Sequence, residues 1–458
     1  RALEAVERVR PPVALKRILD IHEQRSQLYI SLARYEEAIA EGERMVGLAR
    51  AAADRRNEGA AIAQLAFAHW ATMSADHVPD VERYAAEALG LAREVGDEEV
   101  LARSLQTLAY VQQMHGQLEE ADEKFTEALR ISEARGFKAL AMPSRVFLAA
   151  HMEWRGDFPR ALTVLRQVAE EAREAWDGFH ELFALSFRCK AHIAQGDHAE
   201  GLAVIHEGLT KAKDRDNKFF VGRFENTIGW LHQELGDFGR AVEHDRQGAD
   251  IGKQIKNGNV EISSLINLGF DYLHLGEPVK ALSLLEETQR RAEAGFGAHR
   301  WRWEMHVMAY LAETLIALGR PGEAVPQIER SLAAARATGS AKYIAKCHAL
   351  RGEIAFAAGR LAEAEAEVAE ALGIARRIGY QTLTWQCAHA LSRVLAARGE
   401  HERGACDRVE RAWEMARLAA DTIQSVAGRL PDPAMTAAFL SWSRVRAVQD
   451  DLDRLRRV

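Results

Sequence analysis

Apolar positions recur along this chain in short stripes at helical spacing, broken at regular intervals by a glycine. Leu101, Leu105, Leu108 and Val111 lie 4, 3 and 3 apart; Leu118, Ala121, Phe125, Ala128 and Leu129 follow at 3, 4, 3 and 1. Each set falls on one face of a helix. Gly116 between them supplies the permissive backbone of a tight turn, and Gly136 ends the second helix. The stretch predicts a helical hairpin whose apolar face must be covered by something else.

That something is further copies. A small residue of the second helix can be followed as Ala38, Val81, Ala121, Ala161, Gly201, Ala241, Ala281, Ala324, Ala364 and Gly404, at intervals of 40 with two of 43. Five residues before the last eight stand Gly116, Gly156, Gly196, Gly236, Gly276, Gly319, Gly359 and Gly399, with Ala33 in that place in the first unit. A fixed period of this length predicts a solenoid of stacked hairpins, in which each unit buries its face on its neighbours. Ten units at about 10 Å per layer give a path on the order of 100 Å. The two longer units, around 72–84 and 290–305, are expected to change pitch or form a hinge. In the first of them Pro79 and Asp80 would open the next helix.

The stretches "NLGFDYLHLGEPVKALSLL", "TIGWLHQELGDFGRAVEHD" and "ARYEEAIAEGERMV" resemble the tetratricopeptide repeat family, in a long variety found in bacterial signalling proteins. The resemblance spans roughly residues 19–420. It departs at Gly201 and Gly404, at Asp245 where an aromatic is usual, and in lacking the closing proline. It implies an all-α fold: a right-handed α-solenoid of about ten hairpins, led in by residues 1–18 and capped by helices in 421–458. In the tail, Asp432 and Pro433 form a helix-start signal. The segment "DPAMTAAFL" is similar to the tails of bacterial STAND-type and cyclase-linked ATPases that carry such arrays. The opening on Arg1 rather than Met leads to the expectation of a preceding nucleotide-binding switch domain.

Length and composition then narrow the class. A chain of 458 residues would ordinarily suggest about three globular domains, a number the repeat makes unnecessary. The net charge of −7 and pI near 6.2 argue against a general nucleic-acid or anionic-membrane binder. No apolar run reaches the length of a membrane span and no signal-peptide pattern opens the chain. Four cysteines without a CxxC pair indicate a reducing, cytoplasmic setting. Cys347 and Cys387, one period apart, are expected to be packing residues too distant for a disulfide.

Catalytic motifs are missing. "IGKQ" at 251–254 lacks the rest of a phosphate loop, His180-Glu181 is not followed by the second histidine of HExxH, and no GxSxG occurs. His192, His232 and His274 recur at nearly one period, too far apart for common ligation. Neither enzyme, metal site nor cofactor is expected. "HRWRW" at 299–303 interleaves cations and rings as single-strand binders do. Its place between units favours a structural joint anchored by Trp303, or a protein contact.

By the resemblance, the first helix of each unit lines a concave face. Its inward positions in the middle units carry over to Lys190, to Arg223, Asn226 and Trp230, and to Asn267, Phe270 and Asp271, with Tyr110, Trp154 and Phe183 further out. Carboxamides, cations and rings on one face suit an extended peptide. The expected function is a sensor or interaction module of a bacterial regulator, binding a protein, peptide or small effector. The alternative is a free-standing adaptor that assembles complexes without a switch; self-association is compatible with either. A peptide-pheromone receptor would need a helix-turn-helix that these residues do not show.

Overall fold

The computed structural model describes residues 11–295, 299–401 and 406–456. Among them the chain is helical throughout, with no strand. Ten hairpins follow one another: α1 (Pro11–Ser31) with α2 (Tyr35–Ala51), α3 (Arg55–Ala71) with α4 (Val78–Val95), α5 (Glu98–Met114) with α6 (Leu118–Arg135), α7 (Lys138–Arg155) with α8 (Phe158–Glu174), and α9 (Gly178–Ala194) with α10 (His198–Asp214). The series continues with α11 (Lys218–Glu234) and α12 (Phe238–Gln254), α13 (Gly258–His274) and α14 (Pro278–Gly295), α15 (Arg300–Ala317) and α16 (Pro321–Ala337), α17 (Ala341–Ala357) and α18 (Leu361–Ile378), and α19 (Gln381–His401) and α20 (Cys406–Ala427). Two short helices, α21 (Pro433–Ser441) and α22 (Ser443–Leu455), close the chain. The expected boundaries at 18/19 and 420/421 fall inside α1 and α20, which run unbroken through them.

The repeated small residues do what their phase suggested. Ala38, Val81, Ala121, Ala161, Ala241, Ala281, Ala324 and Ala364 are all fully buried, where the two helices of a hairpin cross. Gly201 allows a still closer approach, since a Cβ there would lie 3.0 Å from Ile193 Cγ1. Of the eight in-phase glycines, seven take left-handed φ values from 70° to 86° at the inner turn. Gly399 does not: α19 continues through it to His401. Gly404 lies outside the described residues. In the longer second unit the extra residues form a 3-10 turn, Ala75–His77, and Pro79 sits in the first turn of α4.

The superhelix winds tightly enough for its turns to touch. Asn257 Nδ2 donates to the Thr72 carbonyl at 3.2 Å, and the His299 amide donates to the Met114 carbonyl at 3.0 Å. One unit on, Gly339 packs against Arg155, and α7 meets α17. The C-terminal helices dock across earlier layers. Trp442 packs edge-on against Trp385 at 5.4 Å and Phe238 at 5.7 Å, and Arg444 pairs with Glu313 at 3.2 Å. Asp432 caps α21 by accepting from the Ala434 amide at 2.7 Å.

Candidate functional site

The first helices of six successive hairpins, α7, α9, α11, α13, α15 and α17, surround a cavity of about 130 Å³. Helices stacked at successive layers of a wound solenoid turn one face toward the axis, and the contact of α7 with α17 closes the circle. Five of the seven inward positions singled out in the sequence line this cavity: Lys190, Arg223, Asn226, Trp230 and Asn267. Phe270 stands behind the wall, stacked on Tyr310 at 4.4 Å and edge-on to His274 at 4.3 Å. Trp154 lines the cavity too. Tyr110 and Phe183 belong instead to a buried aromatic cluster with Trp70, Phe147 and Phe179.

The carboxamides are less free than the concave-groove reading supposed. Asn226 Nδ2 donates to Asp245 Oδ1 at 2.8 Å, and Asn267 Nδ2 reaches the same oxygen at 3.4 Å. Asp245 and Asp271 are fully buried and interact, and Gln233 Nε2 donates to Asp271 Oδ1 at 2.7 Å. Burial drives both carboxyls up, Asp271 to about 8. This explains the departure at 245: Gly229 faces it, and a Cβ there would overlap the carboxylate.

Residues that the sequence reading passed over complete the wall. Arg302, Lys342, Glu153 and Tyr380 line it with the others. Lys342 lies 4.4 Å above the Trp230 ring and 5.0 Å from that of Tyr380, and Arg302 lies 5.1 Å above Trp154. Arg223 sits over Phe183, Phe187 and Phe219 at 5.6 to 5.7 Å. Glu234 Oε1 ties two rings of the wall together, accepting from Trp230 Nε1 at 2.7 Å and from the Tyr380 hydroxyl at 2.8 Å. Burial, with Arg223 and Arg302 close by, brings the Lys190 ammonium down to about 7; burial brings Lys342 down to about 8. Glu153 is pushed up by burial against the pull of the surrounding cations, and its Oε2 has no hydrogen-bond partner.

The two tryptophans of "HRWRW" pack as a joint, while Arg302 between them lines the cavity. Trp301 Nε1 donates to the Gln113 carbonyl at 3.0 Å, and Trp303 is buried, donating to Ser263 Oγ at 3.2 Å. Arg300 pairs with Glu304.

His192, His232 and His274 stay in separate layers, each beside its own carboxylate: Asp197, Asp237 and Glu313. Among the described residues one cluster has the composition of a metal site: His69, His77 and Asp80. His69 Nδ1 lies 2.8 Å from His77 Nδ1 and 3.9 Å from Asp80 Oδ2, while Asp80 also pairs with Arg83 at 2.6 Å. Three donors, one already held by an arginine, fall short of a closed four-ligand site. Cys189, Cys347 and Cys387 are buried free thiols.

A second cavity, about 460 Å³, is lined by residues of α1, α3, α5, α7 and α9, with Phe67, Arg103 and His180 on its wall. The turn residue Trp176 stands at its edge, 93% exposed.

Models of the tetratricopeptide repeat match residues 261–337, 182–207 and 345–372. The chain carries tetratricopeptide repeats. Proteins built of these repeats are in general interaction scaffolds, and the fold here supports that kind of role. No curated protein matches the chain. Among solved structures, a Rap protein complexed with competence and sporulation factor is similar at 12% identity over 86% of this chain and 100% of its own, with a TM-score of 0.48. A STAND ATPase with a tetratricopeptide repeat sensor, from Pyrococcus horikoshii, is similar at 15% identity over 82% of this chain and 55% of its own, with a TM-score of 0.46. The Cut9–Hcn1 assembly of APC/C gives 12% identity, 96% of each chain and a TM-score of 0.45. Among the described residues no helix is long and apolar enough to cross a membrane.

Proposed function

We propose that this array is the sensor or interaction module of a signalling regulator, with its ligand held in the cavity that α7 to α17 enclose. The observation that carries the reading is the wall itself. It draws side chains from six successive units, and the same helices hold one turn of the superhelix against the next. A ligand there touches both sides of the inter-turn contact, so occupancy favours the closed winding by the ligand's differential affinity for it. The change in winding would be the signal passed to whatever the array is joined to or bound by.

Affinity capture of partners with the wild-type chain, with Trp230→Ala and Arg223→Ala, and with an exposed control, Val279→Ser, tests this. Partners lost with both cavity variants and kept by the control support it; identical partner sets for all four proteins would refute it. Hydrogen exchange at the His299 amide separates a sensor from a plain adaptor. A partner that depends on the cavity but leaves this exchange unchanged points to the adaptor.

A further inference from the structure

Four cationic side chains meet at the cavity. Lys190 on α9, Arg223 on α11, Arg302 on α15 and Lys342 on α17 all line it. Among the described residues none of the four forms an ion pair. Arg223 donates to Ser186 Oγ at 3.3 Å and leaves its Nε without an acceptor. The others lie over rings: Lys190 over Phe187 at 5.9 Å, Arg302 over Trp154 and Lys342 over Trp230. Several half-buried cations elsewhere hold carboxylates. Lys346, one helical turn beyond Lys342, holds Glu313 at 2.8 Å, and Arg215 holds Glu181 at 2.8 Å.

Two carboxylates face the four cations: Glu153 on the wall, and Glu234 behind Trp230 and Tyr380, whose charge acts on Lys342. Composition does not force this excess, because the chain carries a net charge of −7. Like charges brought together away from water are costly unless a counter-charge joins them. Rings beneath the cations offset part of that cost and leave the charged groups able to turn toward a ligand.

We propose that this cavity holds a small organic anion bearing two or more negative charges, with Lys190, Arg223, Arg302 and Lys342 as its counter-ions. The inference rests on the reading that the ligand sits in the cavity, and adds its chemistry. Space sets the size: a cavity of about 130 Å³ is on the order of one that holds a single six-membered ring. A compact dicarboxylate or phosphate ester fits, with its carbon skeleton against Trp154 and Trp230. An extended peptide could place only one side chain there. The pH dependence follows from the cations facing the ligand. Lys190, brought to about 7 by burial, Arg223 and Arg302, with Glu153 opposing, loses its charge as pH rises through neutrality. Lys342, brought to about 8 by burial and Lys346 with Glu234 and Glu153 opposing, follows. Binding therefore weakens from about pH 6 to about pH 9.

The test is calorimetric titration and thermal melting of the full chain with phthalate and pyrophosphate as compact dianionic and polyanionic probes. Benzoate serves as a monoanion, benzamide as a neutral ring, chloride at matched ionic strength as a screening control, and an acetylated Glu-Glu-Glu peptide as the rival ligand. A rise in melting temperature with phthalate or pyrophosphate that benzamide and chloride do not produce is expected. Which of the two is better separates carboxylate from phosphate chemistry. Arg223→Met and Lys190→Met are expected to lower that affinity by at least about tenfold, with Lys253→Met, an exposed control, unchanged. Each cavity variant is also expected to melt higher than wild type without ligand, because an unpaired cation has been removed. No response to either probe, a response matched by chloride, an unaltered response in both variants, or tighter binding of the peptide would each overturn the proposal. Should the probes fail while partner capture still depends on Trp230, the chemistry is wrong and the cavity reading stands.

Discussion

Gln113 and Trp301 are 188 residues apart in sequence and share a hydrogen bond, the indole Nε1 donating to the backbone carbonyl at 3.0 Å. Beside them Gly116, with a φ of 80°, leaves the space the indole fills: a Cβ there would lie 2.9 Å from the ring. The turn glycine of one unit therefore also serves as the seat for a tryptophan of another. Trp301→Ala removes both the bond and the apolar cover, and is expected to loosen the two turns. Small-angle scattering should show a larger radius of gyration, and the His299 amide, which donates to Met114, should exchange faster. Unchanged scattering and exchange would mean that the turns are held by the other contacts alone.

Glycines at equivalent helical depth should respond oppositely to a single methyl. Gly208 in α10 lies under the ring of Phe224, which a Cβ would overlap, and Phe224 is fully buried. Gly208→Ala is expected to destabilise by about 1–3 kcal/mol through overpacking. Gly90, exposed within α4, has nothing within 4 Å of its would-be Cβ. Gly90→Ala is expected to stabilise by ~0.5–1 kcal/mol, since alanine gives up less backbone freedom on folding. Denaturant melts of both variants check the pair; two changes of the same sign would contradict it.

The repeat was legible because its signal is local and additive. Ala121 and Gly116 keep a fixed offset, and each of the later units restates it in phase. Gly399 broke the rule because a glycine permits a left-handed turn without compelling one, and α19 runs straight through it. The concave residues were also legible, as Arg223, Asn226 and Trp230 share one helix face. What the sequence hid is who meets whom across the turns. Arg302 lies between two tryptophans that act as joints, so its own position on the wall was masked by theirs. Lys342 opens α17 with no motif around it, and its ring partner Trp230 is 112 positions earlier. Such contacts depend on the pitch of the superhelix, which sums small rotations over several units and leaves no mark in any one of them.

Three cysteines should be chemically silent. Burial pushes the thiols of Cys189 and Cys387 up to about 12 and that of Cys347 to about 11, and it is the thiolate that reacts. Iodoacetamide on the folded protein at about pH 8, followed by peptide mass mapping, is expected to leave all three unmodified. After denaturation they should label fully. Rapid labelling of Cys347 or Cys387 in the native protein would show that their layers open readily.

Asp245 and Asp271 give the array a pH dependence of definite sign. Burial, and for Asp245 the neighbouring Asp271, raises both carboxyls in the folded state, Asp271 to about 8. Unfolded, each returns to the ordinary carboxylate value near ~3.9. Below that value both states are protonated and the pair contributes nothing that varies with pH. Between about 4 and about 8 the folded chain keeps a proton the unfolded chain has released, so stability falls steadily as pH rises. Above about 8 Asp271 is charged in the folded chain too and its share of the loss is complete, while Asp245, raised as well, adds a loss of the same sign. Asp271→Asn leaves a neutral group of the same shape. It keeps an oxygen for Gln233 Nε2, which now donates to Asp271 at 2.7 Å, and it places an amide where Asp245 can accept. The variant is expected to melt higher than wild type at about pH 8 to 9, and to match it more closely at about pH 4 to 5. Thermal melts across that range measure the difference directly. If wild type and variant keep a constant gap at every pH, the buried pair is not holding a proton in the folded protein.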